Sequence, residues 1–411
     1  MSGVAGRTAV DPAGAVGPAA GAAATLRDCP WPLARRTARA AVRPLPVELL
    51  PSAVAVGRTL AEPLTALTDL PAFDTSAMDG WAVAGPGPWR LSGRVLAGQD
   101  CAPLADGAAV EIATGAQLPS GATGVLRRER GRVVELPDGT AQLHGEVGPG
   151  QDVRPRGQEC RRDEELLPAG QPVTPAVLGL AAAAGHDRLA VRRRPTVELL
   201  LLGDELLTSG IPAPGRVRDA LGPLLPPWLA AAGAELLGSR YVRDDFGLLR
   251  DAIRHSPADL VLTTGGTAAG PVDFLHAALA AVGGQRLVDG VAVRPGHPML
   301  LAALPGGRHL VGLPGNPLAA VAGAVTLALP LLHALSGRTA EAGPAETLAT
   351  ALPGHPADTR LHPVRRTPAG LAALPHDGPA MLRGLARADA LAVVPPGGLT
   401  AGERVELLPL P

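Results

Sequence analysis

The sequence predicts a multidomain α/β plus β protein, in which one doubly wound α/β domain is accompanied by smaller β domains. The chain has 411 residues, too many for one compact core, and typical domain sizes suggest roughly two to four domains. From residue 197 onward, apolar runs alternate with helical patterns, which is typical of a parallel, doubly wound sheet. Short strand-like runs separated by Gly, Pro and Asp occupy residues 89–144 and the chain after residue 344, and they predict two β domains.

Composition narrows the functional class. Hydrophobic residues make up 46% of the chain but aromatic residues only 2%, so the cores must be built from Leu, Val and Ala. The formal net charge of −1 argues against a general polyanion-binding surface, and we expect no nucleic-acid partner. Cys29, Cys101 and Cys160 have no paired Cys or His neighbours, which argues against a disulfide framework or a zinc site and favours the cytoplasm. We also expect no membrane span, because no charge-free apolar stretch of about twenty residues is apparent.

The chain begins with a segment that we predict to be a flexible tail. Residues 1–24 are rich in Ala, Gly and Pro and lack the compact apolar core of a secretion signal. The Ala- and Arg-rich run over residues 30–43 predicts a short helix. Residues 69–83 then concentrate carboxylates, hydroxyls and a glycine beside aromatic side chains. This composition predicts a functional loop, although a solvated turn would explain the spacing equally well.

A small β domain is predicted for residues 89–144. Its strands are expected at residues 90–96, 109–112, 124–128, 133–136 and 141–143. Thr114 lies in a glycine-flanked loop after the second of these strands, where it could hydrogen-bond a ligand or simply cap the turn. A Thr-capped, Ala-rich helix follows over residues 174–185.

The strongest pattern lies in the α/β region, where the polar loops follow the strands. Strands are expected at residues 197–202, 235–241 and 260–263, with helices over 221–232, 246–254 and 273–282. Because the carboxyl ends of parallel strands meet at one edge, such sheets bind ligands there. The loops at that edge are residues 203–205, 243–245 and 264–273 and two Pro-Gly corners at 294–298 and 312–317.

The glycines in these loops predict an anion site. The strand at 260–263 leads to Gly265-Gly266 and then to a helical pattern, an arrangement that leaves backbone N–H groups able to bind phosphate or another oxyanion. An ordinary strand-to-helix turn would explain a single glycine pair. Three such corners within residues 259–317, one of them carrying Arg and His, favour the anion site.

The C-terminal region predicts the second β domain. Its strands are expected at residues 359–364, 371–374, 391–394 and 404–408, joined by Pro/Gly turns. We expect a small barrel or sheet.

Six motifs occur in the order and spacing of one enzyme family. They are Phe73-Asp74-Thr75-Ser76-Ala77-Met78-Asp79-Gly80-Trp81-Ala82-Val83, Thr114-Gly115-Ala116, Gly203-Asp204-Glu205-Leu206, Thr264-Gly265-Gly266, Arg294-Pro295-Gly296-His297-Pro298 and Gly312-Leu313-Pro314-Gly315-Asn316-Pro317. With these motifs the chain, roughly from Pro30 to its C-terminus, resembles the MoeA family, the molybdopterin molybdenumtransferases. The Gly-Asp-Glu-Leu and Gly-Gly loops also occur in MogA-like and CinA-like domains, and the Ser-Ala-Met-Asp-Gly segment makes the resemblance specific.

The resemblance implies a domain organisation and an assembly. We expect a flexible tail (1–29), an elongated domain split in sequence (30–71 and 147–190), an inserted β domain (72–146), a MogA-like α/β/α domain (191–337) and a C-terminal β domain (338–411). The family's homodimer would place Asp79 opposite the α/β site of the partner subunit.

The chemistry that the resemblance implies is the last step of molybdenum cofactor synthesis. Molybdate is inserted into the dithiolene of adenylylated molybdopterin, with Mg²⁺-dependent cleavage of the adenylate and release of AMP. A MogA-like adenylyltransferase would act upstream, and molybdoenzymes would receive the product. Tungstate shares the charge and shape of molybdate, so the sequence leaves the oxyanion open.

The resemblance also implies roles for individual residues. The catalytic acids would be Asp79, Glu205, Asp245 and Asp273. The last three would also hold Mg²⁺, a hard cation that prefers oxygen ligands. Helix N-termini and cationic donors would bind the anionic substrates. The predicted substrate-binding residues are Ser76, Thr114, Gly265, Gly266, Arg294, Pro295, His297, Pro298, Pro314, Gly315, Asn316 and Pro317.

The chain departs from the family pattern at several positions. Gly270-Pro271-Val272-Asp273 lacks one of the family's carboxylates, Lys-Pro-Gly-Lys-Pro is replaced by the sequence at 294–298, and Asp-Ser-Asn is replaced by Asp219-Ala220-Leu221. These changes leave an alternative, a catalytically weakened paralogue that binds molybdopterin or a molybdoenzyme partner without transferring metal. A nucleotide hydrolase is disfavoured by the Ser-Ala-Met-Asp-Gly segment.

Overall fold

The computed structural model of the chain describes residues 24–267, 274–340 and 343–410. Strand β1 (Leu26–Pro30) and helix α1 (Trp31–Ala40) come first. β1 pairs in parallel with residues 288–292 of the main sheet, so the predicted flexible tail is wrong for Leu26 onward because this backbone is hydrogen-bonded into the sheet. Residues 1–23 lie outside the described ranges.

Helix α1 is present as the Ala/Arg pattern predicts, but it packs elsewhere than expected. It buries Trp31, Ala34 and Ala38 in the core of the α/β domain. The Trp31 Nε1–H donates to the Thr326 hydroxyl at 2.9 Å. The split domain was predicted to start at residue 30, but helix α1 belongs to the α/β domain instead.

The next region is built from short paired strands and is discontinuous in sequence, because another sheet is inserted between its two parts. The elements are β2 (Val47–Pro51), β3 (Leu64–Thr65), β4 (Thr75–Ser76), β5 (Gly80–Val83), β6 (Trp89–Val95), β7 (Ala108–Ile112), β8 (Gly124–Arg127), β9 (Arg132–Glu135), β10 (Ala141–His144), β11 (Val153–Arg154), β12 (Glu165–Leu167), α2 (Pro175–Ala183) and β13 (Arg188–Arg192). Antiparallel pairs β2–β13, β3–β12 and β4–β11 join the two parts. Between them, β5–β10 form a six-stranded sheet in the order β8-β5-β7-β6-β10-β9, and the predicted strands are all found.

The α/β domain follows. Its elements are β14 (Thr196–Leu202), β15 (Leu206–Leu207), β16 (Val217–Arg218), α3 (Leu221–Ala231), β17 (Glu235–Val242), α4 (Phe246–His255), β18 (Leu260–Thr264), α5 (Leu275–Ala281), β19 (Gln285–Arg294), β20 (Leu300–Ala303), β21 (His309–Leu313), α6 (Pro317–Gly323) and α7 (Leu329–Leu335). The strand order is β17-β14-β18-β21-β20-β19, with β1 beside β19. β17, β14, β18 and β21 are parallel, as predicted.

The sheet is mixed rather than wholly parallel. β20 runs antiparallel to both β19 and β21. The connection from β19 to β20 consists of residues 295–299 alone, and a link this short can only turn the chain back, whereas a parallel crossover needs a dozen or more residues. The Pro-Gly corner at 294–298 is therefore the turn of a hairpin.

One helix runs through the core from Pro317 to Leu335, as α6, a π-helical segment (Ala324–Ala328) and α7. Among the described helices, this one has 19 residues and a mean hydropathy of 2.0, long and apolar enough to cross a membrane. The expectation that the sequence holds no such stretch was wrong. Because 89% of its most apolar window is buried inside the protein, the helix has the placement of a core helix.

The C-terminal domain is a β-sheet joined to the main sheet. Its strands are β22 (Ala345–Thr347), β23 (Thr359–Thr367), β24 (Gly370–Ala373), β25 (Ala390–Val394) and β26 (Arg404–Pro409). The order is β24-β23-β25-β26-β22, and the four predicted strands are found. β23 also pairs in parallel with the end of β19, at Val293↔Thr359 and Arg294↔Arg360.

Truncation of a central strand residue should destabilise the chain far more than truncation of an edge residue. Leu262 on β18 is fully buried, whereas Leu237 on the edge strand β17 is 45% exposed. We expect Leu262→Ala to lower the free energy of unfolding by about 2–5 kcal/mol, because lost burial and a cavity both contribute. Leu237→Ala should change it by less than about 0.5 kcal/mol. Denaturant unfolding followed by circular dichroism measures both, and equal losses would contradict the central position of β18.

Candidate active site at the carboxyl edge of the sheet

A cavity of about 760 Å³ opens at the carboxyl edge of β14, β18 and β21. Its walls come from the loops that follow these strands, from the start of α3 and from the C-terminal domain. The cavity lies where ligands bind in open α/β sheets. The lining residues used below are Gly203, Glu205, Arg218, Asp219, Asp244, Gly265, Gly266, Gly315, Asn316, Pro317, Ala380 and Leu382.

The strand register brings the loops together. Leu201 lies beside Thr264 on the neighbouring strand, and Thr264 lies beside Leu313 on the next. The Gly265 N–H donates to the Leu313 carbonyl at 2.8 Å. Gly265 has a φ of 86°, and a Cβ there would lie 3.2 Å from the Leu202 carbonyl oxygen, so the turn requires glycine.

Gly203 has a similar role at the first loop. Its φ is 136°, and a Cβ at this position would lie 2.7 Å from Glu205 Oε2. The Glu205 carboxylate therefore folds over the glycine, on the cavity wall. This geometry explains why a glycine precedes the acidic turn.

Asp219 is an acidic residue of the cavity. In the sequence it stood out only as part of a departure from the family pattern. It is buried, at 7% exposure, and its carboxylate accepts hydrogen bonds from the N–H groups of Leu221 (2.9 Å) and Gly222 (3.0 Å) at the start of α3. It also accepts from the Tyr241 hydroxyl at 2.6 Å. An acid immediately before a helical pattern was the available signal, since Asp is a preferred N-terminal capping residue.

Two adjacent aspartates after β17 have different surroundings. Asp245 is the N-cap of α4 and accepts from the Leu248 N–H at 2.8 Å, and it does not line the cavity. Asp244 does line the cavity and accepts from the Asp204 N–H at 3.2 Å. Asp273 lies outside the described residues. Of the two predicted metal ligands among the described residues, Glu205 lines the cavity and Asp245 lines a small adjoining pocket that shares Asp244 and Gly266 with it, and the metal roles stay predictions.

Two helix N-termini lie near the cavity edge of the sheet. Helix α5 begins at Leu275, close to the predicted start at residue 273. Gly315, Asn316 and Pro317 line the cavity at the start of α6, whereas Pro314 does not. The N–H groups of Leu318 and Ala319 both donate to the Pro379 carbonyl, at 2.9 and 3.1 Å. These donors are therefore already used by the C-terminal domain.

The Arg-Pro-Gly-His-Pro corner lies outside the lining of the cavity. Arg294 Nε pairs with Asp358 at 2.8 Å, and His297 Nε2 lies 3.0 Å from Asp28. Pro295 and Pro298 lie in the same hairpin turn. The substrate-binding roles of these residues stay predictions, and Arg218 is a cation that does line the cavity.

From the Ser-Ala-Met-Asp-Gly segment, Asp79 lines a separate cavity of about 340 Å³ in the inserted β domain, together with Glu111, Arg94 and Arg128. Asp79 accepts from the Thr114 N–H at 2.8 Å and from its hydroxyl at 3.2 Å. These two bonds, the N–H first, hold the pKa of Asp79 below its ordinary value. Ser76 is fully buried and its hydroxyl donates to the Met78 carbonyl. Within one chain, Asp79 and Thr114 share no wall with the α/β cavity.

Comparison with known proteins identifies the family. The model described as "MoeA N-terminal region (domain I and II)" matches residues 30–185. The model described as "Probable molybdopterin binding domain" matches residues 198–334, and "MoeA C-terminal region (domain IV)" matches 346–410. A molybdopterin molybdenumtransferase of Synechococcus elongatus is 35% identical over 72% of this chain and 77% of its own length. The chain belongs to the MoeA family.

Further relatives agree with the MoeA assignment. Molybdopterin molybdenumtransferase 2 of Mycobacterium tuberculosis is 34% identical over 68% of this chain and 72% of its own length. A crystal structure of a molybdopterin biosynthesis MoeA protein from Pyrococcus horikoshii superposes with a TM-score of 0.72 at 26% identity, covering 92% of this chain and 98% of that one. The multidomain fold, with its α/β domain and C-terminal β domain, is thus the fold of MoeA proteins.

The Asp219–Tyr241 hydrogen bond of this MoeA-family chain can be tested by titration. Tyr241 is the chain's single tyrosine, and partial burial and then the bond to Asp219 raise its pKa to about 12. The neutral hydroxyl therefore contributes stability that is fully present below pH 10, the ordinary pKa, and is lost as pH rises toward about 12. We expect Asp219→Asn to shift the tyrosinate absorbance transition to lower pH, but not fully to its ordinary value, because burial remains.

Asp244→Asn is the matched control. Asp244 lines the same cavity, but it accepts no hydrogen bond from the start of α3 or from the tyrosine hydroxyl. Its tyrosinate transition should match that of the unmodified protein. An unchanged transition in Asp219→Asn would exclude the hydrogen bond.

Proposed function

We propose that the chain is a molybdopterin molybdenumtransferase that inserts molybdate into adenylylated molybdopterin and releases AMP. The observation that supports this most directly is the acidic, glycine-walled cavity at the carboxyl edge of the sheet, in a chain of the MoeA family. The glycine loops let a substrate approach the backbone closely, and Arg218 supplies a cation for phosphate oxygens. The cavity is large enough for a nucleotide-sized ligand.

The carboxylates of the cavity support roles in the cleavage of the adenylate. Glu205, which lies over Gly203, is positioned to accept a proton from an attacking water. Asp219 is saturated by its hydrogen bonds to α3 and Tyr241, so it orders the cavity wall instead. Asp244 has one backbone partner in the described chain and an open face on the cavity.

Mg²⁺ dependence is part of this proposal. The carboxylates of Glu205 and Asp244 are hard oxygen donors on one cavity wall, which fits Mg²⁺, and the predicted ligand Asp273 follows the Gly265-Gly266 loop in sequence. When bound, Mg²⁺ would neutralise charge on the phosphates of the adenylate linkage that is cleaved. We propose Asp244 for the role first predicted for Asp245, because Asp245 is engaged as a helix cap. In the described residues, no group of three or more His, Cys, Asp or Glu forms a complete metal site.

A homodimer is the second part of the proposal. Thr114 fixes the Asp79 carboxylate on the wall of a cavity that also holds Arg94 and Arg128 and that lies apart from the α/β cavity of the same chain. A partner subunit that brings this site to the α/β cavity would complete a shared active site. We further propose a cytoplasmic compartment, which the free cysteines Cys29, Cys101 and Cys160 support. A MogA-like adenylyltransferase would supply the substrate, and molybdoenzymes would receive the product.

The function is tested by AMP release. Purified protein with adenylylated molybdopterin, Mg²⁺ and molybdate should release AMP and form cofactor that activates an apo-molybdoenzyme. Parallel reactions with tungstate decide which oxyanion is used. Binding of the adenylate without AMP release under any of these conditions would support the weakened paralogue instead.

A pair of neighbouring substitutions tests the acidic wall. We expect Asp244→Asn to lower AMP release by about a hundredfold or more, because a cavity carboxylate is lost. Asp245→Asn is the matched control, because Asn caps helices as well as Asp does, and its AMP release should be unchanged. The reverse result, with Asp245→Asn inactive and Asp244→Asn active, would restore Asp245 as the catalytic acid.

Complementation between variants tests the shared site. Asp79→Asn and Glu205→Gln should each abolish AMP release in pure form. Mixed after reversible dissociation, they should recover about a quarter of the wild-type activity, since half the dimers are mixed and each carries one intact site. Analytical ultracentrifugation checks that dimers re-form. Dimers that re-form without any recovery would show that both acids serve one chain's site.

A further inference from the structure

A second cavity, of about 250 Å³, lies at the other end of helix α3 from the active site. The start of α3 lines the active-site cavity, whereas Trp228 near its end lines this one. The remaining walls come from α1, from the helix that includes α7, and from the end of β26. Nothing in the proposed reaction uses this cavity.

Most of the wall is apolar. Trp228, Leu329, Pro330 and Leu408 provide ring and aliphatic surface. Walls of this kind with a few placed polar groups are typical of small-molecule sites. The volume is close to the lower end of the usual range, about 300 Å³, so a small molecule is the appropriate occupant.

Two cationic side chains, Arg35 and Arg338, and the imidazole of His333 interrupt the apolar wall. His333 is neutral at neutral pH, because burial and then the charges of Arg338, Arg39 and Arg35 lower its pKa to about 4. Burial likewise lowers the pKa of Arg35. The Glu406 carboxylate partly opposes this effect, but within the described residues it forms no ion pair with Arg35. A partly desolvated guanidinium whose counter-charge is not in direct contact is costly, and an anion bound against it would offset that cost.

Arg35 is held in place by its neighbours. Its guanidinium lies 4.9 Å from the centre of the Trp31 ring and donates to the Val325 carbonyl. Val325 belongs to the π-helical segment between α6 and α7. A π-helical turn frees carbonyl groups from the regular ladder, and such turns are frequent at functional sites. The cation is therefore preorganised, which lowers the entropy cost of binding a ligand.

We propose that this cavity binds a small organic carboxylate with an aromatic or branched apolar body, and that Arg35 is its charged anchor. A bare oxyanion such as phosphate would leave Trp228 and Leu408 uncovered. A neutral apolar molecule would leave the guanidinium with the Val325 carbonyl and the Trp31 ring but without an anion in contact. An amphipathic carboxylate satisfies both parts of the wall.

Calorimetric titration with cinnamate and its neutral amide, cinnamamide, tests the site. The full-length protein should bind cinnamate at least about tenfold more tightly than cinnamamide, since only the carboxylate pairs with the guanidinium. Inorganic phosphate, as a third arm, should not compete. Equal affinity for acid and amide, absence of cinnamate binding, or displacement by phosphate would each overturn the proposal.

Two variants and a control locate the binding. Arg35→Gln should weaken cinnamate binding about tenfold or more, whereas Arg36→Gln, a neighbouring exposed arginine on the same helix, should not. Ala231→Leu adds bulk to the cavity wall without touching the anchor and should abolish binding. Because Arg35 also holds α1, thermal unfolding must show that Arg35→Gln is folded. If folded Arg35→Gln and Ala231→Leu each bound cinnamate as tightly as the unmodified protein, cinnamate would bind elsewhere.

Discussion

Strands β14, β18 and β21 are buried on both faces, so a shift of one residue in their register would exchange side chains between two differently packed cores. At the amino edge, the Asp259 carboxylate accepts from Arg193 at 2.8 Å and from the N–H and hydroxyl of Thr196 at 2.7 and 2.8 Å. This fixes β14 against β18. With the register set there, the glycine loops at the opposite edge must emerge side by side.

The C-terminal domain is held to the α/β domain by a shared apolar core, to which it contributes Leu361, Leu385, Leu391 and Leu408, and by backbone contacts. The Arg294–Asp358 ion pair has a half-exposed arginine, and pairs of this kind contribute about 0–1 kcal/mol. The parallel pairing of β19 with β23 and the Pro379 carbonyl at the start of α6 make several main-chain hydrogen bonds. Ala380 and Leu382 follow this carbonyl and close the cavity. The contacts that dock the C-terminal domain therefore also complete the wall of the candidate active site. They occupy the backbone N–H donors at the start of α6, which could otherwise have bound an anion.

The sequence predicted the strands well where a segment has one clear hydrophobic pattern. The run from Val197 to Leu202 is apolar except for Glu198, which pairs with Arg240 on the neighbouring strand, and a buried parallel strand is its direct consequence. The choice between Asp244 and Asp245 could not be predicted in this way, because both are acids before one helix and only the backbone angles decide which becomes the cap. The antiparallel course of β20 and the docking of α1 depend on tertiary packing, which no local pattern contains.

The charge of the cavity limits how an anionic substrate can enter it. Among the described lining residues, Glu205, Asp219 and Asp244 are acids and Arg218 is a base, so the wall is acidic on balance. Molybdate and an adenylate are both anions, and placing them against this wall without counter-charge would cost several kcal/mol in a partly desolvated site. A divalent cation on Glu205 and Asp244 would remove that repulsion, and so would cations of a neighbouring subunit. The acidic wall is therefore a reason to expect a metal here. An enzyme that bound its anionic substrates by direct contacts alone would need a positively charged wall.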